Sequence, residues 1–420
     1  LVIHNCEKPN LQQRPARGSR IAPILSMYNC KPGRAIVKLD FSTFEVRGLG
    51  FISQDDNMVK LFREMHRIKE DFRKDPYVYA EEGYTSKKER LTTSLKALKK
   101  NKSAYKLLDG DQKKEALSKL EEEISGLEKE LEQLEYDYKH NPIKLSMEVR
   151  KWKTDFHRRS AALFNNISIE EVSPSQRQGA KGFVFGSMYG RGEQSIANEL
   201  GISLEEATAI KAKFQANMPD ATGWLEASAD YASKHLCVKS PLGTIRHLWG
   251  YLRGEKGITS KMDRLAQNSI IQGMCSNMTL VGISHLLDFI FECKKAKYQT
   301  SDDEAWFTTN IVHDSAEMEI PIEDVFFVCL NFEEYFTSKL EAAILEEFGF
   351  EIKLPLEVDF TVGSTYANTK DWDGSKLHLK KLQKWVIEEC GKRDGVDYSH
   401  LYKKAIRKKL SDFIGDDEAA

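Results

Sequence analysis

The rhythm of apolar and polar positions changes several times along the chain. Ala35-Ile36-Val37-Lys38-Leu39-Asp40 is a β-branched run ending in a carboxylate, which predicts a strand after an opening loop. Residues 55–85 read as helix. Leu117, Leu120, Ile124, Leu127, Leu131, Leu134 and Tyr138 alternate three and four apart, with Glu and Lys between them, the pattern of a heptad seam. Leu91, Leu95, Leu98 and Tyr105 keep a similar beat upstream, and Leu108-Asp109-Gly110-Asp111 is a turn signal. Residues 86–140 are therefore expected to be two antiparallel helices, either packed on themselves or serving as an arm for a partner or DNA. Helices dominate 142–235. A hairpin follows, with Cys237-Val238-Lys239 and Ile245-Arg246-His247-Leu248 flanking a Pro241-Leu242-Gly243 turn. Residues 260–297 predict one long helix or two, Ile311-Val312-His313-Asp314 a second hairpin, 322–348 a helix, and 354–362 a strand.

Length and charge narrow the class. The chain has 420 residues, 41% hydrophobic and 30% charged, enough for a large core and more than one domain. Its 62 Lys and Arg nearly balance 64 Asp and Glu, which excludes a globally basic nucleic-acid binder but leaves room for a basic cleft. Residues 376–409 carry eleven Lys and Arg against four Asp and Glu, read as a basic helical tail with a solvated face. No apolar stretch is long enough for a membrane span, and Leu1–Asn10 lacks the pattern of a signal peptide. Seven scattered cysteines without a CxxC pair suit a reduced, cytoplasmic chain with no zinc module.

Three constellations carry chemistry. Asp40 and Asp314 each end a β-like run, and two carboxylates brought together repel unless cations lie between them. Magnesium suits such ligands, and a pair of ions about 3.5–4 Å apart can activate an attacking oxygen and stabilise a leaving one. Either aspartate taken alone is better explained as the cap of a turn. Second, Ser173-Pro174-Ser175-Gln176 is a capping box with Pro at the first helical position. The helix it opens places Arg177, Lys181, Phe185 and Met188 within an arc of about 80°. Two cations near a helix N-terminus and an aromatic one turn later suit a triphosphate and a sugar; the plain alternative is a solvated basic face. Third, Arg264, Asn268 and Gln272 form a stripe of residues that hydrogen-bond base edges and sugars, or that satisfy buried backbone.

Together these residues resemble the family A DNA polymerases. Asp40-Phe41-Ser42-Thr43-Phe44-Glu45-Val46-Arg47 is similar to motif A, usually DYSQIELR. Arg177, Lys181, Phe185-Gly186 and Tyr189-Gly190 resemble motif B, Val312-His313-Asp314-Ser315 motif C, Asn268 with Gln272-Gly273 the N-x-P-x-QG helix, and Pro9-Asn10-Leu11-Gln12 the PNLQ segment. The motifs stand in the family's order over about residues 9–373. The resemblance implies an α+β fold: an antiparallel palm sheet, helical fingers and an inserted antiparallel coiled-coil hairpin. Its domains would be palm at 1–50, fingers at 51–235 including the 86–140 insertion, palm again at 236–373, and the basic helical tail at 374–420. It further implies two Mg²⁺ ions on Asp40, Asp314 and the Phe41 carbonyl. Glu45 would be a steric gate against ribose. Arg177 and Lys181 would hold the incoming dNTP, with Lys181 a proton donor to pyrophosphate. Phe185 would pack on the sugar, as in forms that reject dideoxynucleotides, and Tyr189 would guard the templating base. Arg264, Asn268, Gln272 and His313 would contact primer–template DNA, and Arg17 the triphosphate region.

Departures from the pattern set further expectations. Ser315 stands where the family often has Glu, and Leu1–Lys8 offers no counterpart of the Arg that commonly precedes PNLQ. A thumb and a 3′–5′ exonuclease would precede Leu1, so the chain is expected to be a split enzyme or one piece of a larger one, phage-like in its compactness. It would act with a second, thumb- and exonuclease-bearing polypeptide. A single-subunit RNA polymerase and a non-catalytic replisome scaffold are the rival readings, the first opposed by Glu45 and the second by the retained Asp40, Asp314, Arg177 and Lys181.

Overall fold

The computed structural model describes residues 30–105, 112–295, 307–312, 314–372 and 374–403. In chain order the first elements are β1 (Arg34–Phe41), α1 (Phe44–Ser53), α2 (Asp56–Lys74), α3 (Ala80–Tyr105), α4 (Gln112–His140), α5 (Pro142–Lys153), α6 (Phe156–Asn165) and α7 (Pro174–Met188). Then come α8 (Glu193–Leu200), α9 (Leu204–Asn217), α10 (Pro219–His235), β2 (Cys237–Lys239), β3 (Ile245–His247) and α11 (Lys256–Lys295). The last are β4 (Phe307–Val312), β5 (Ser315–Pro321), α12 (Val325–Tyr335), α13 (Ser338–Phe348), β6 (Val358–Gly363), β7 (Thr369–Trp372) and α14 (Lys376–Asp394). The fold is α+β. Contacts divide the chain into a unit of residues 64–184 and a unit made of the remainder.

The larger unit is built on an antiparallel sheet of order β4-β5-β1-β6-β7. β1 is central, which explains its near-continuous apolar run: Ala35, Ile36, Val37 and Leu39 are all buried. At its end Phe41 stacks on Phe44 of α1, with ring centroids 4.1 Å apart, and meets Phe336 just beyond α12. Between β1 and α1 the chain turns through Thr43, whose φ of 49° is left-handed, an unfavourable state for a β-branched residue. Arg47 holds that turn. Its guanidinium is buried, stacks on Phe62 at 4.4 Å, and donates to the carbonyls of Ser42 (2.9 Å) and Pro355 and to Glu357 (2.6 Å). Burial opposes its charge, and Glu357 is the largest counter-influence. Asp55, also buried, caps α2 through the amides of Asn57 and Met58 and α10 through those of Asp220 and Ala221.

α11 is a single helix of 40 residues. It approaches α1 at Gly48, where an added Cβ would lie 2.8 Å from Cys275 Sγ. Only glycine permits that contact, and it fixes the middle of α1 against the middle of α11. Leu248, Val238, Ala232, Ala266 and Ile270 form a second core under the β2–β3 hairpin.

In the unit of residues 64–184, α3 and α4 run antiparallel, as their ion pairs Lys88–Glu135, Lys99–Glu128 and Lys102–Glu121 record. The predicted seam is apolar inside: Leu91 and Leu134 are buried with Leu145 of α5, and Leu127 and Leu131 pack around them. Tyr138 is more exposed than a seam residue should be and instead stacks on Tyr84 at 4.3 Å. The hairpin does not pack on itself alone, since Gly83 lies so close to α5 that a Cβ would sit 3.0 Å from Val149. The turn predicted at Leu108–Asp111 lies outside the described residues.

Three expectations need correction. The helix expected over 322–348 is two, because Thr337 leaves the helical region (φ −122°, ψ −99°) and Phe336 turns inward to pack on Phe41. The strand β7 was not foreseen; it carries a Lys and an Asp and shows no alternation. The basic tail is not merely a solvated face: α14 buries Leu379, Leu382, Val386, Ile387 and Cys390 and turns Lys380, Lys381 and Lys384 outward.

Replacing Arg47 with methionine would strand Glu357 in the interior, and urea titration should show a loss of about 3–5 kcal/mol. Adding Glu357→Leu should recover most of it, and failure to do so would mean that the backbone bonds of Arg47, not its charge pairing, dominate.

Candidate active site

The sheet register brings Asp40 and Asp314 together. Asp40, one residue from the end of β1, lies opposite Ser315 on β5 and Asp359 on β6. Val312 pairs with Ser315, so Asp314 occupies the turn of the β4–β5 hairpin, and its carbonyl accepts from the Phe41 amide at 3.3 Å. Directly opposed residues of an antiparallel pair share a face. Asp40, Ser315 and Asp359 therefore face one side, joined by Lys38 two residues earlier, whose Nζ is 3.1 Å from Asp40. Ser42 donates to Asp359. Burial, with Asp40 beside it, pushes the Asp314 carboxyl up to about 6; Glu45 adds to the rise and Lys38 opposes it.

Both aspartates line a cavity of about 1030 Å³, shared with Glu45, Phe185, Asn268 and Gln272 and with the hairpin residues Thr244, Ile245, Arg246 and His247. Glu45, in the first turn of α1, is held at both oxygens: Tyr189 donates to one and Gln272 Nε2 to the other at 3.2 Å. Burial and Glu45 together raise the Tyr189 hydroxyl far above the usual phenol value, so it stays a donor. Phe185 lies one turn before Tyr189, rings 5.9 Å apart at 28°. The helix ends at Gly190 (φ +66°), where a Cβ would come within 2.6 Å of Gln267 Oε1 and 2.9 Å of Arg264 Cγ. Arg264 thus sits behind that turn and is not among the cavity-lining residues, whereas Asn268 and Gln272 of the same stripe are. The Oδ1 of Asn268 is buried and has no hydrogen-bond partner.

The predicted capping box forms: Ser173 N donates to Gln176 Oε1 at 2.9 Å, and Gln176 N to Ser173 Oγ at 3.2 Å. Within the unit of residues 64–184, Arg177 Nε donates to Asp155 at 2.5 Å, and Lys181 is exposed on the next turn. Asp155 also caps α6 through the Arg158 amide at 2.9 Å. His157, buried beside them, was missed by the sequence reading, as was Asp155. Their only local signal is an Asp N-cap, which does not say that α6 faces α7. Burial lowers His157 to about 4; Asp155 opposes the drop, and Lys181 and Arg177 add to it. Lys38 was readable from strand alternation, but Asp359 was not. Arg17 and His313 lie outside the described residues.

The donor set fits a hard divalent cation. Two carboxylates on adjacent strand ends, one with its carboxyl raised by burial and by the other beside it, provide the oxygen ligands such an ion takes. No group of three His, Cys, Asp or Glu placed to hold a metal occurs among the described residues, so water and phosphate oxygens would complete the shell.

The His157 shift has a sign that can be checked. Its folded value lies below the ordinary 6.5, so the unfolded chain takes up the proton first. Stability should be full above pH 6.5 and fall as the pH drops toward 4, by up to about 3 kcal/mol. Denaturation of the wild type and His157→Gln across that range measures it; a glutamine variant with the same slope would assign the effect elsewhere.

The model of DNA polymerase family A matches residues 141–368. DNA polymerase I of Bacillus caldotenax is 25% identical over 224 residues, 53% of this chain and 23% of that protein. The thermostable DNA polymerase I of Thermus aquaticus is 23% identical over 217 residues, 52% of this chain and 24% of that protein. The match thus spans only about a quarter of these relatives' length. Among solved structures, the POL domain of Pol1 from M. smegmatis, in complex with DNA primer–template and dNTP, superposes with a TM-score of 0.55 at 18% identity. It covers 86% of this chain and 45% of that one, a likeness of fold.

Proposed function

The chain belongs to DNA polymerase family A, and we propose that it adds deoxynucleotides to a primer 3′-hydroxyl on a DNA template. One observation carries the reading: Asp40 and Asp314, 274 positions apart in number, lie together on the wall of a cavity whose other wall offers Glu45, Phe185, Asn268 and Gln272. The comparison structure, solved with primer–template and dNTP, supports the same choice of partners.

Asp40, Asp314 and the Phe41 carbonyl would hold two Mg²⁺ ions, which supply activation of the attacking hydroxyl and charge stabilisation of the leaving oxygen. The protein's own residues do the rest by positioning and electrostatics. Arg177 and Lys181 would bind the triphosphate as a fork and a point charge, and Lys181 would give a proton to the leaving pyrophosphate. His157, kept neutral by burial, adds a further hydrogen-bonding group, and Asp155 holds the Arg177 side chain in register until phosphate replaces it. Phe185 packs on the sugar. Glu45, fixed by Tyr189 and Gln272, fills the volume a 2′-hydroxyl needs, so the hydrogen bonds that lock it also sharpen sugar selection. Asn268 and Gln272 read the edge of the nascent pair, with Arg264 behind them. In this reading residues 1–50 and 236–373 are palm and 51–235 fingers. None of the described helices is long and apolar enough to cross a membrane, and with bacterial relatives the cytoplasm is the proposed setting.

Asp40→Ala and Asp314→Ala should each reduce Mg²⁺-dependent extension of a primed template by more than about 100-fold with the fold retained by circular dichroism. Near-normal incorporation by either variant would remove the metal assignment. Glu45→Ala should raise ribonucleotide use relative to deoxynucleotide use by about 10- to 100-fold in single-nucleotide incorporation. A wild type that prefers ribonucleotides, or a variant with unchanged sugar choice, would return the RNA polymerase reading.

A further inference from the structure

We propose that β3 and the 3-10 turn after it, Trp249–Arg253, form a stacking platform for unpaired bases of the DNA strand held in the adjoining cavity. The inference deepens the polymerase reading and rests on it for the identity of the strand.

The turn sorts its residues into two sets. Leu248 is buried in the core under the hairpin, Tyr251 donates to Asp263 at 2.8 Å, and Gly250 lies so close to α11 that a Cβ would sit 2.5 Å from the sulfur of Met262. These contacts anchor the segment. Trp249 and Leu252, three apart and so eclipsed in a 3-10 turn, point the other way, 60% and 69% exposed. Ile245 on β3 is 55% exposed. The His247 ring lies flat against Trp249, centroids 5.1 Å apart and planes within 4°. A firmly seated backbone thus presents two parallel rings and two aliphatic side chains to solvent, an arrangement that burial of an apolar ligand would stabilise.

Charge and place select the occupant. Arg246 and Arg253, close to the ring residues in sequence, are exposed. Single-stranded nucleic acid is taken by aromatic faces interleaved with cations. Ile245, Arg246 and His247 also line the cavity that contains Asp40 and Asp314. The patch is therefore continuous with the proposed catalytic cleft, within reach of a strand that enters or leaves it.

The test uses the whole chain, a fluorescein-labelled oligo(dT) and a blunt duplex of equal length, read by anisotropy and by quenching of tryptophan emission. Trp249→Ala should weaken single-strand binding about tenfold, Trp249→Phe should stay within about threefold of wild type, and duplex binding should change less than about twofold. Because the side chain is exposed, the unfolding midpoint should not move. Equal losses on both DNAs, no loss, or no rescue by phenylalanine would overturn the platform, as would a Trp249→Ala defect confined to association with a second polypeptide. Primer extension separates this result from the reading beneath it. A wild type that extends primers while Trp249→Ala binds single strands normally overturns the platform alone. A wild type that extends nothing, with the tenfold single-strand loss intact, overturns the polymerase and keeps the platform.

Discussion

Arg47 is the point on which the site's geometry depends. The link between β1 and α1 must reverse direction within two residues, and it does so by placing Thr43 in a left-handed conformation that costs on the order of 1–3 kcal/mol. The buried guanidinium ties the carbonyl of Ser42 to Pro355 and Glu357 just before β6. One side chain thus joins the central strand, the helix that carries Glu45 and the neighbouring strand that carries Asp359. Asp40 and Glu45 can face one cavity because that turn is tight and fixed.

The electrostatics follow from the same geometry. An antiparallel ladder sets Asp40 beside the Asp314 turn regardless of their mutual repulsion, and nearby Lys38 offsets only part of it. Burial, with that repulsion added to it, raises Asp314 to about 6. Around Glu45 the opposite principle holds: a carboxylate met by Tyr189 and Gln272 is fully engaged and serves as shape. The close α1–α11 contact at Gly48 brings Gln272 within reach of it, so a glycine three residues from Glu45 helps to hold that carboxylate.

Much of this was legible in the chain. β1, the α3–α4 hairpin, the β2–β3 turn and the capping box at Ser173 follow from local periodicity and turn chemistry, and each formed. The two-helix break at Thr337 was not legible, because it depends on a pocket for Phe336 supplied by Phe41 and Gly282, remote in sequence. β7 has no alternating pattern, and pairing with β6 alone makes it a strand. His157 and Asp155 escaped notice for a similar reason: an N-cap looks the same whether or not its neighbour bears Arg177.

The sequence by itself determined which residues could do the chemistry and which segments would be strand or helix, since periodicity and capping act over a few neighbours. The tertiary structure decided what those residues meet. Asp359 across from Asp40, Tyr189 on Glu45, Arg264 behind Gly190 and His157 beside Arg177 are all consequences of strand register and helix approach. Such contacts span tens to hundreds of positions, and no local pattern encodes them, because the energy that selects them is shared over the whole packed interior.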